Sequence, residues 1–364
     1  MQSHTKLFWK IRLQTILWLV LILGFISSLP VILNWPTMYI YILIASVLTA
    51  IPLGWLLTKI CHSHSVKTNW IRCSVGLFFF ATGVASLPIY YSIVITETNP
   101  ALQPQAVLVN GDKTVTFQGM QHIGSENFYK SVIYDVEEAL SNGFVIYYEG
   151  VQTNSPESKD FFEKLTAGIT GGQKHLDETY SAIGKACGLK FQLDYFGLLE
   201  ADKKEHPERH VIADVDALEL KGEFERLMKT DVKFAKANKN FFDVAEQDSS
   251  ADPSAALVSF LKSGSEGQKK LAGIVCRGFM SKKIGQSDGG KVANIEPVIL
   301  DYRNRELAKR ITNDTNKKIF ITYGAKHFSG VFELLKENDP KWEVRSVKWM
   351  RAIESPKKEY EAKL

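Results

Sequence analysis

The first 96 residues hold Lys6, Lys10, Arg12, Lys59, Lys67 and Arg72 but not one Asp or Glu. Uncharged runs at 13–35, 38–58 and 73–95 occupy most of this region. About 20 consecutive apolar residues cross a bilayer core, so the pattern predicts three transmembrane helices. The first run could also be a cleaved signal peptide, but its apolar stretch is longer than the usual ~7–15 residues and two more runs follow it. The rest of the chain sets 38 basic residues against all 40 acidic ones. Such a partition excludes a single soluble globule, a disordered chain, a collagen-like repeat and a disulfide-dense mini-protein. The excess positive charge lies beside apolar segments and not on the soluble part, which argues against a nucleic-acid partner. The lipid bilayer is the first partner the sequence names.

Basic flanks set orientation. The N-terminal tail and the loop at 59–72 are basic, whereas the turn at 34–37 is uncharged and Glu97 follows the third run. The expected topology is an integral membrane protein with a cytoplasmic N-terminus and a large extracytoplasmic C-terminal part. Pro100 and Pro104 suggest an extended linker over 97–110, a soluble domain over 111–354 and a basic tail over 355–364. Cys61 and Cys73 fall at inner helix ends. Cys187 and Cys276 fall in the exported part and are either a disulfide pair or two buried thiols.

The soluble domain alternates strand and helix patterns at both ends. A β-prone run at 114–117 precedes a helix at 125–142 with apolar residues at Phe128, Val132, Val136 and Leu140, and a second strand at 144–148 follows. This is the pattern of a parallel β-α-β unit. Later come a helix at 296–311 with Pro297 in its first turn, a strand at 318–323, a helix at 330–336 and a strand at 342–349. Between them, 158–168, 173–186, 217–229, 253–263 and 266–282 read as mainly helical, with short strands at 190–193 and 210–213. The expected fold class is α/β, with α+β as the alternative: a central sheet with a helical middle insertion.

Chemistry-bearing residues follow the strands. His122 closes Gly119-Met120-Gln121-His122 after the first strand, His327 closes Gly324-Ala325-Lys326-His327 after a late one, and Glu149 ends the strand in Tyr147-Tyr148-Glu149. In open α/β sheets the functional crevice lies beyond the carboxyl ends of the strands. If these strands share one sheet, two imidazoles and a carboxylate converge, with Gly119 and Gly324 as structural turns. Two His and one carboxylate with open positions suit a divalent metal: Mn, Co, Fe or Zn. Such a metal lowers the pKa of bound water to about 7 and polarises a carbonyl. Taken singly, each His reads more often as a surface or hydrogen-bonded loop residue, and Glu149 as a helix cap; the duplicated motif at equivalent strand ends is what favours the set.

The segments "TFQGMQHIG", "VIYYEGV", "LDYRNRELAKRI" and "FITYGAKHFSGVFELL" resemble, in that order, the landmarks of the TraB/PrgY/GumN/Tiki superfamily. The resemblance covers roughly 111–352, strong at these four blocks and weak between them. It implies a compact α/β domain and, in the Tiki branch, metal-dependent peptidase activity. A distantly related group comprises erythromycin esterases and haem-binding lipoproteins. Carried over by motif, His122, Glu149 and His327 would be the metal and catalytic residues, with Arg303 and Asn304 at the same cleft. Three N-terminal spans depart from the family patterns, where the anchor is a signal peptide or C-terminal helices.

Arg303 reads either as a two-point donor to a substrate carboxylate or oxyanion or as an ordinary helix ion pair. Asp214 follows the strand at 210–213 as a second carboxylate for a metal shell or as a base, and Asp216 reads best as a helix N-cap. His206 and His210 have a metal-ligand spacing that Pro207 interrupts. Cys61, His62 and His64 read as an interfacial polar loop and His175 as a solvated helix residue. No Gly-Lys-Ser/Thr phosphate loop and no Gly-x-Ser-x-Gly elbow occurs. The spans lack the buried ionisable residues of a transporter. The expected function is a membrane-anchored, metal-dependent hydrolase acting on a peptide or a small ester or amide; the rival is a non-catalytic membrane protein that sequesters a peptide or haem.

Overall fold

The computed structural model of the protein describes residues 2–28, 36–60, 66–170, 176–243, 263–285 and 294–355. Cys61, His62 and His64, His175, Gly171-Gly172, Gly289-Gly290, most of the helix expected at 253–263 and the tail from 356 lie outside these residues. The chain divides into two compact units.

The first unit contains helices α1 (Gln2–Ser27), α2 (Pro36–Ile60) and α3 (Val66–Thr98). Two of them include segments long and apolar enough to cross a membrane, Tyr39–Ile60 and Asn69–Thr98. Among the described residues the apolar part of α1 covers Arg12–Ser27; the rest of the run expected at 13–35 lies outside them. Pro30 disfavours helix in the residue before it, and the Ser27 and Ser28 hydroxyls donate back to Gly24 O and Phe25 O as the helix ends. Small residues let the three backbones approach closely: a side chain on Gly83 would sit 3.3 Å from the Gly24 backbone, and one on Gly54 would meet Ser74. Phe25 packs on Phe78 and Phe79, and Ser28 Oγ lies 3.2 Å from Tyr39 Oη. Ser265–Phe279 belongs to this unit too, although the sequence reads it as part of the soluble domain.

The second unit is mixed α/β around a six-stranded sheet. Its strands are β1 (Leu102–Asn110), β2 (Lys113–Met120), β4 (Val145–Tyr148), β6 (His210–Ile212), β7 (Lys318–Gly324) and β8 (Glu343–Arg351), in the order β6-β4-β7-β2-β1-β8. The four strands β6, β4, β7 and β2 run parallel, and β1 pairs antiparallel with both β2 and β8. A minor pair joins β3 (Ile123–Gly124) to β5 (Lys190–Phe191). The expected β-α-β unit is present as β2, α4 (Glu126–Ser141) and β4, but β7 inserts between its two strands.

The stretch read as an extended linker, 97–110, is mostly β1. Pro104 is the third residue of β1 and is partnered by Trp349 of β8, but it precedes the β1–β2 register, which begins at Gln105, so on the β2 side its missing N–H interrupts no ladder. Alternation then buries Ala106 and Leu108, as a half-covered strand requires.

Both sheet faces are covered. On one, Val115, Phe117, Tyr147, Ile319 and Ile321 pack against α10 (Arg303–Asn313) and α11 (His327–Asn338), through Leu307, Ile311, Val331 and Leu335. On the other, Met120, Ile146 and Phe320 meet Phe128, Val132, Val136 and Leu140 of α4, the four-residue stripe that predicted that helix. A satellite core joins α5 (Pro156–Thr170), α7 (Ala217–Thr230) and α8 (Val232–Asn238) through Phe161, Leu220, Phe224 and Phe234. This is the expected helical insertion, together with α6 (Leu176–Cys187); α9 (Glu266–Gly285) begins among the residues that group with the apolar helices.

Candidate functional site

Parallel pairing brings the carboxyl ends of β2, β4, β6 and β7 to one edge. Thr322 pairs with Tyr148, Gly324 with Met120, and Tyr148 with Ile212. The next residues along each strand are therefore neighbours by topology: Glu149 after β4, Asp214 after β6 and His327 after β7.

A six-residue π-helical stretch, Pro297–Tyr302, leads directly into Arg303 at the start of α10. Such bulges rotate the following residues out of α register and recur at functional sites. Arg303 Nε donates to Asp214 Oδ1 at 2.9 Å, and Nη2 donates to Asp214 Oδ2 at 2.5 Å and Glu149 Oε1 at 2.8 Å. Nη1 donates to Ile299 O and to His327 Nε2, both at 3.3 Å. A guanidinium has five N–H groups, and all five have protein acceptors here. The donor expected to hold a substrate carboxylate is thus engaged in organising two carboxylates and an imidazole.

Each partner is fixed in turn. Asp214, with its side chain fully buried, also accepts from Gly150 N and Val215 N at 2.9 Å each. Glu149 Oε2 accepts from Gly324 N at 2.5 Å, and a side chain on Gly324 would lie 3.3 Å from that oxygen. Gly324 serves this close approach. Gly119 also answers to packing, since a Cβ there would meet Ala325 and Pro104 at 3.0 Å. Burial alone would raise the Glu149 carboxyl, but Arg303, His327 and the Gly324 N–H outweigh it and hold it far below the ordinary carboxylate range. Burial would likewise lower Arg303; Glu149 and Asp214 reverse the sign, so the guanidinium stays charged.

His327 is buried at the first turn of α11. Its Nδ1–H donates to Asn304 Oδ1 at 2.7 Å, which leaves the lone pair on Nε2. That nitrogen lies 3.6 Å from Glu149 Oε1. Tyr323 closes the floor: its hydroxyl donates to Ala213 O at 2.5 Å, its ring meets His327 edge-on, and Arg303 lies 5.8 Å above its centroid. A side chain on Gly330 would run into the Asn304 amide, so the Asn304–His327 contact depends on a bare backbone in α11.

Of the sequence-derived set, Glu149, Asp214, Arg303, Asn304 and His327 are brought together. His122 is exposed, stacks on Tyr180 at 4.6 Å and shares a 3.0 Å hydrogen bond with Gln192 through Nδ1. Among the described residues, no group of three or more His, Cys, Asp and Glu is placed to hold a metal ion. The expected trio of His122, Glu149 and His327 therefore does not fit a metal as arranged: only Glu149 and His327 pair, and the Arg303 cation bridges their facing atoms. Asp216 caps α7 with a reciprocal Glu219 contact, as the blander reading held. His206 and His210 do not form a ligand pair. His210 is held between Tyr148 Oη at 2.8 Å and Asp202 Oδ2 at 2.7 Å, while His206 lies near Glu205 and Glu208 at the surface.

Sequence reasoning missed Tyr323, the Ile299 carbonyl and the Tyr148–His210–Asp202 chain. Tyr148 and Tyr323 each adjoin a strand-end motif, which is the signal that could have found them. No family model, no curated protein and no solved structure matches this chain.

Proposed function

We propose that the protein is a membrane-anchored hydrolase of amide or ester bonds, with peptides as the main substrate class and the α/β domain on the extracytoplasmic side. One observation carries the chemistry. Asn304 fixes the tautomer of a buried imidazole whose free nitrogen points at an ionised carboxylate, beside a guanidinium and at the carboxyl edge of a parallel sheet. A water that exchanges for the long Arg303–His327 contact can give its proton to Nε2 as its oxygen attacks the carbonyl carbon. The imidazolium so formed is stabilised by Glu149. The Nη1–H freed when that water displaces the Arg303–His327 contact can donate to the developing oxyanion. The same proton then passes to the leaving amine or alcohol as the scissile bond breaks. The orientation rests on the all-basic flanks of the N-terminal region, and the resemblance to the TraB/PrgY/GumN/Tiki superfamily is consistent with this class.

A second reading, a divalent ion held by Glu149 and His327 in place of the bridging Arg303 guanidinium, draws on the preset tautomer of His327. Such an ion would supply an activated water. Full-length protein in nanodiscs, incubated with a mixed peptide library and read by mass spectrometry, is expected to release new termini. His327→Gln should lower kcat by roughly 10²–10⁴ with folding intact. Loss of cleavage in chelator, restored by Mn, Co, Fe or Zn, would select the second reading. One-to-one capture of peptide or haem without new termini would overturn the hydrolase and leave a sequestering protein.

A further inference from the structure

Helix α9 carries Lys269 and Lys270 at one end, Lys282 and Lys283 at the other, and between them Leu-Ala-Gly-Ile-Val-Cys-Arg-Gly-Phe-Met-Ser. That interval is too short to cross a bilayer, which takes about 20 residues. Its first part groups with the apolar helices, and the contacts say where. Ile274 is buried with Tyr39, Ile89 and Ile93. A Cβ on Gly278 would lie 2.7–2.8 Å from Ser92 of α3, so α9 and α3 touch backbone to side chain with only glycine fitting between them. Ile274 and Gly278 are four residues apart, one helix face. The neighbouring stripe, Val275 and Phe279, is 39% and 57% exposed.

Depth follows from α3 itself. Ser92 lies five residues before Glu97, the first acidic residue of the chain; at ~1.5 Å per residue this is about 8 Å inside the charged end of the helix. Interfacial helices bury their apolar side to about 5–10 Å at the boundary of headgroups and acyl chains. We infer that α9 is a fourth membrane element, an interfacial helix whose Val275–Phe279 stripe is covered by lipid of the leaflet around the Glu97 end of α3. The occupant is the bilayer itself: α9 packs through Ile274 and Gly278 directly on α3, read as a span, and Lys269 and Lys282 toward its two ends suit the headgroup zone. The inference rests on the reading of α2 and α3 as membrane spans, and its test separates the two.

Single nitroxide labels are introduced by Val275→Cys, Phe279→Cys, Leu48→Cys and Val232→Cys in full-length protein with Cys61 and Cys73 replaced by Ser, reconstituted in phosphatidylcholine nanodiscs. Leu48 is exposed on α2 at 68% and Val232 on α8 at 84%, so they report the span and the aqueous phase. Collision with oxygen against a water-soluble nickel chelate is read by power saturation. Labels at 275 and 279 should show an oxygen-to-nickel ratio several-fold above that at 232 and close to that at 48. A lipid-like ratio at 48 with aqueous ratios at 275 and 279 overturns the inference while leaving the spans intact. An aqueous ratio at 48 as well overturns both.

Discussion

Asn304 touches neither of the carboxylates at the centre, yet it decides which nitrogen of His327 carries the proton. Asn304→Ala removes that acceptor and lets the proton move to Nε2, where the base must be free. The expected result is a fall in kcat of about 10²-fold with KM little changed; equal kcat in variant and parent would deny His327 the role of base. Glu149 makes a separate prediction through stability. Its folded carboxyl titrates below its ordinary value of 4.5 because Arg303, His327 and the Gly324 N–H outweigh burial. A depressed folded value means stabilisation is complete above pH 4.5 and is lost as pH falls from there toward the folded value. The denaturation midpoint of the parent should therefore exceed that of Glu149→Gln by a constant margin near neutral pH, and the margin should shrink below about pH 4.5. A margin that grows on acidification would reverse the sign assigned to this cluster.

Elements differ in how legibly they were written. The stripe of Phe128, Val132, Val136 and Leu140 announced α4, since burial on one face imposes that spacing. The two Gly-x-x-His segments marked the ends of β2 and β7 because a strand that stops at a parallel edge needs a turn there. Strand β1 was hidden by Pro100 and Pro104, residues that weaken a strand pattern: Pro100 precedes the strand, and Pro104 lies within it but before the β1–β2 register begins. The position of β7 between β2 and β4 was not legible either: pairing between residues some two hundred positions apart leaves no local trace. His122 looked equivalent to His327 by motif, but the segment after β2 turns into β3 whereas the segment after β7 enters a helix, and so the two rings acquire different neighbours. Helix glycines offer a test at this scale. Gly222 in α7 has open space where a Cβ would go, whereas Gly330 in α11 faces Asn304. Gly222→Ala should raise stability by about 0.4–1 kcal/mol, read as a higher melting temperature. Gly330→Ala should lower kcat in the direction of Asn304→Ala by displacing that amide, and unchanged kinetics would uncouple the helix packing from the base.

At the scale of the whole chain, sequence charge predicted the division between an apolar N-terminal region and a mixed-charge domain, and the structure keeps it, with two helices of spanning length and the added Ser265–Phe279 segment. That segment is helical as the sequence reads it, but its grouping with the first unit leaves no local trace in the residue pattern. Cys187 and Cys276 are each disulfide-bonded and Cys73 is free; the orientation proposed above would put the first two in an oxidising compartment and Cys73 at the reducing side. In cells lysed under denaturing, non-reducing conditions with a maleimide, Cys73 should label and Cys187 and Cys276 should not; labelling of all three would place the α/β domain on the cytoplasmic side. The strand order has a temporal consequence. Strands β2 and β4 emerge from the ribosome early, but each receives its shared neighbour only when Lys318–Gly324 has been made. During synthesis the half-built sheet must wait, with two open flanks, for a strand some two hundred residues downstream of β2. A nascent chain released before that point would carry Glu149 and Asp214 but neither the strand that unites them nor His327, so an unfinished protein cannot be a prematurely active one.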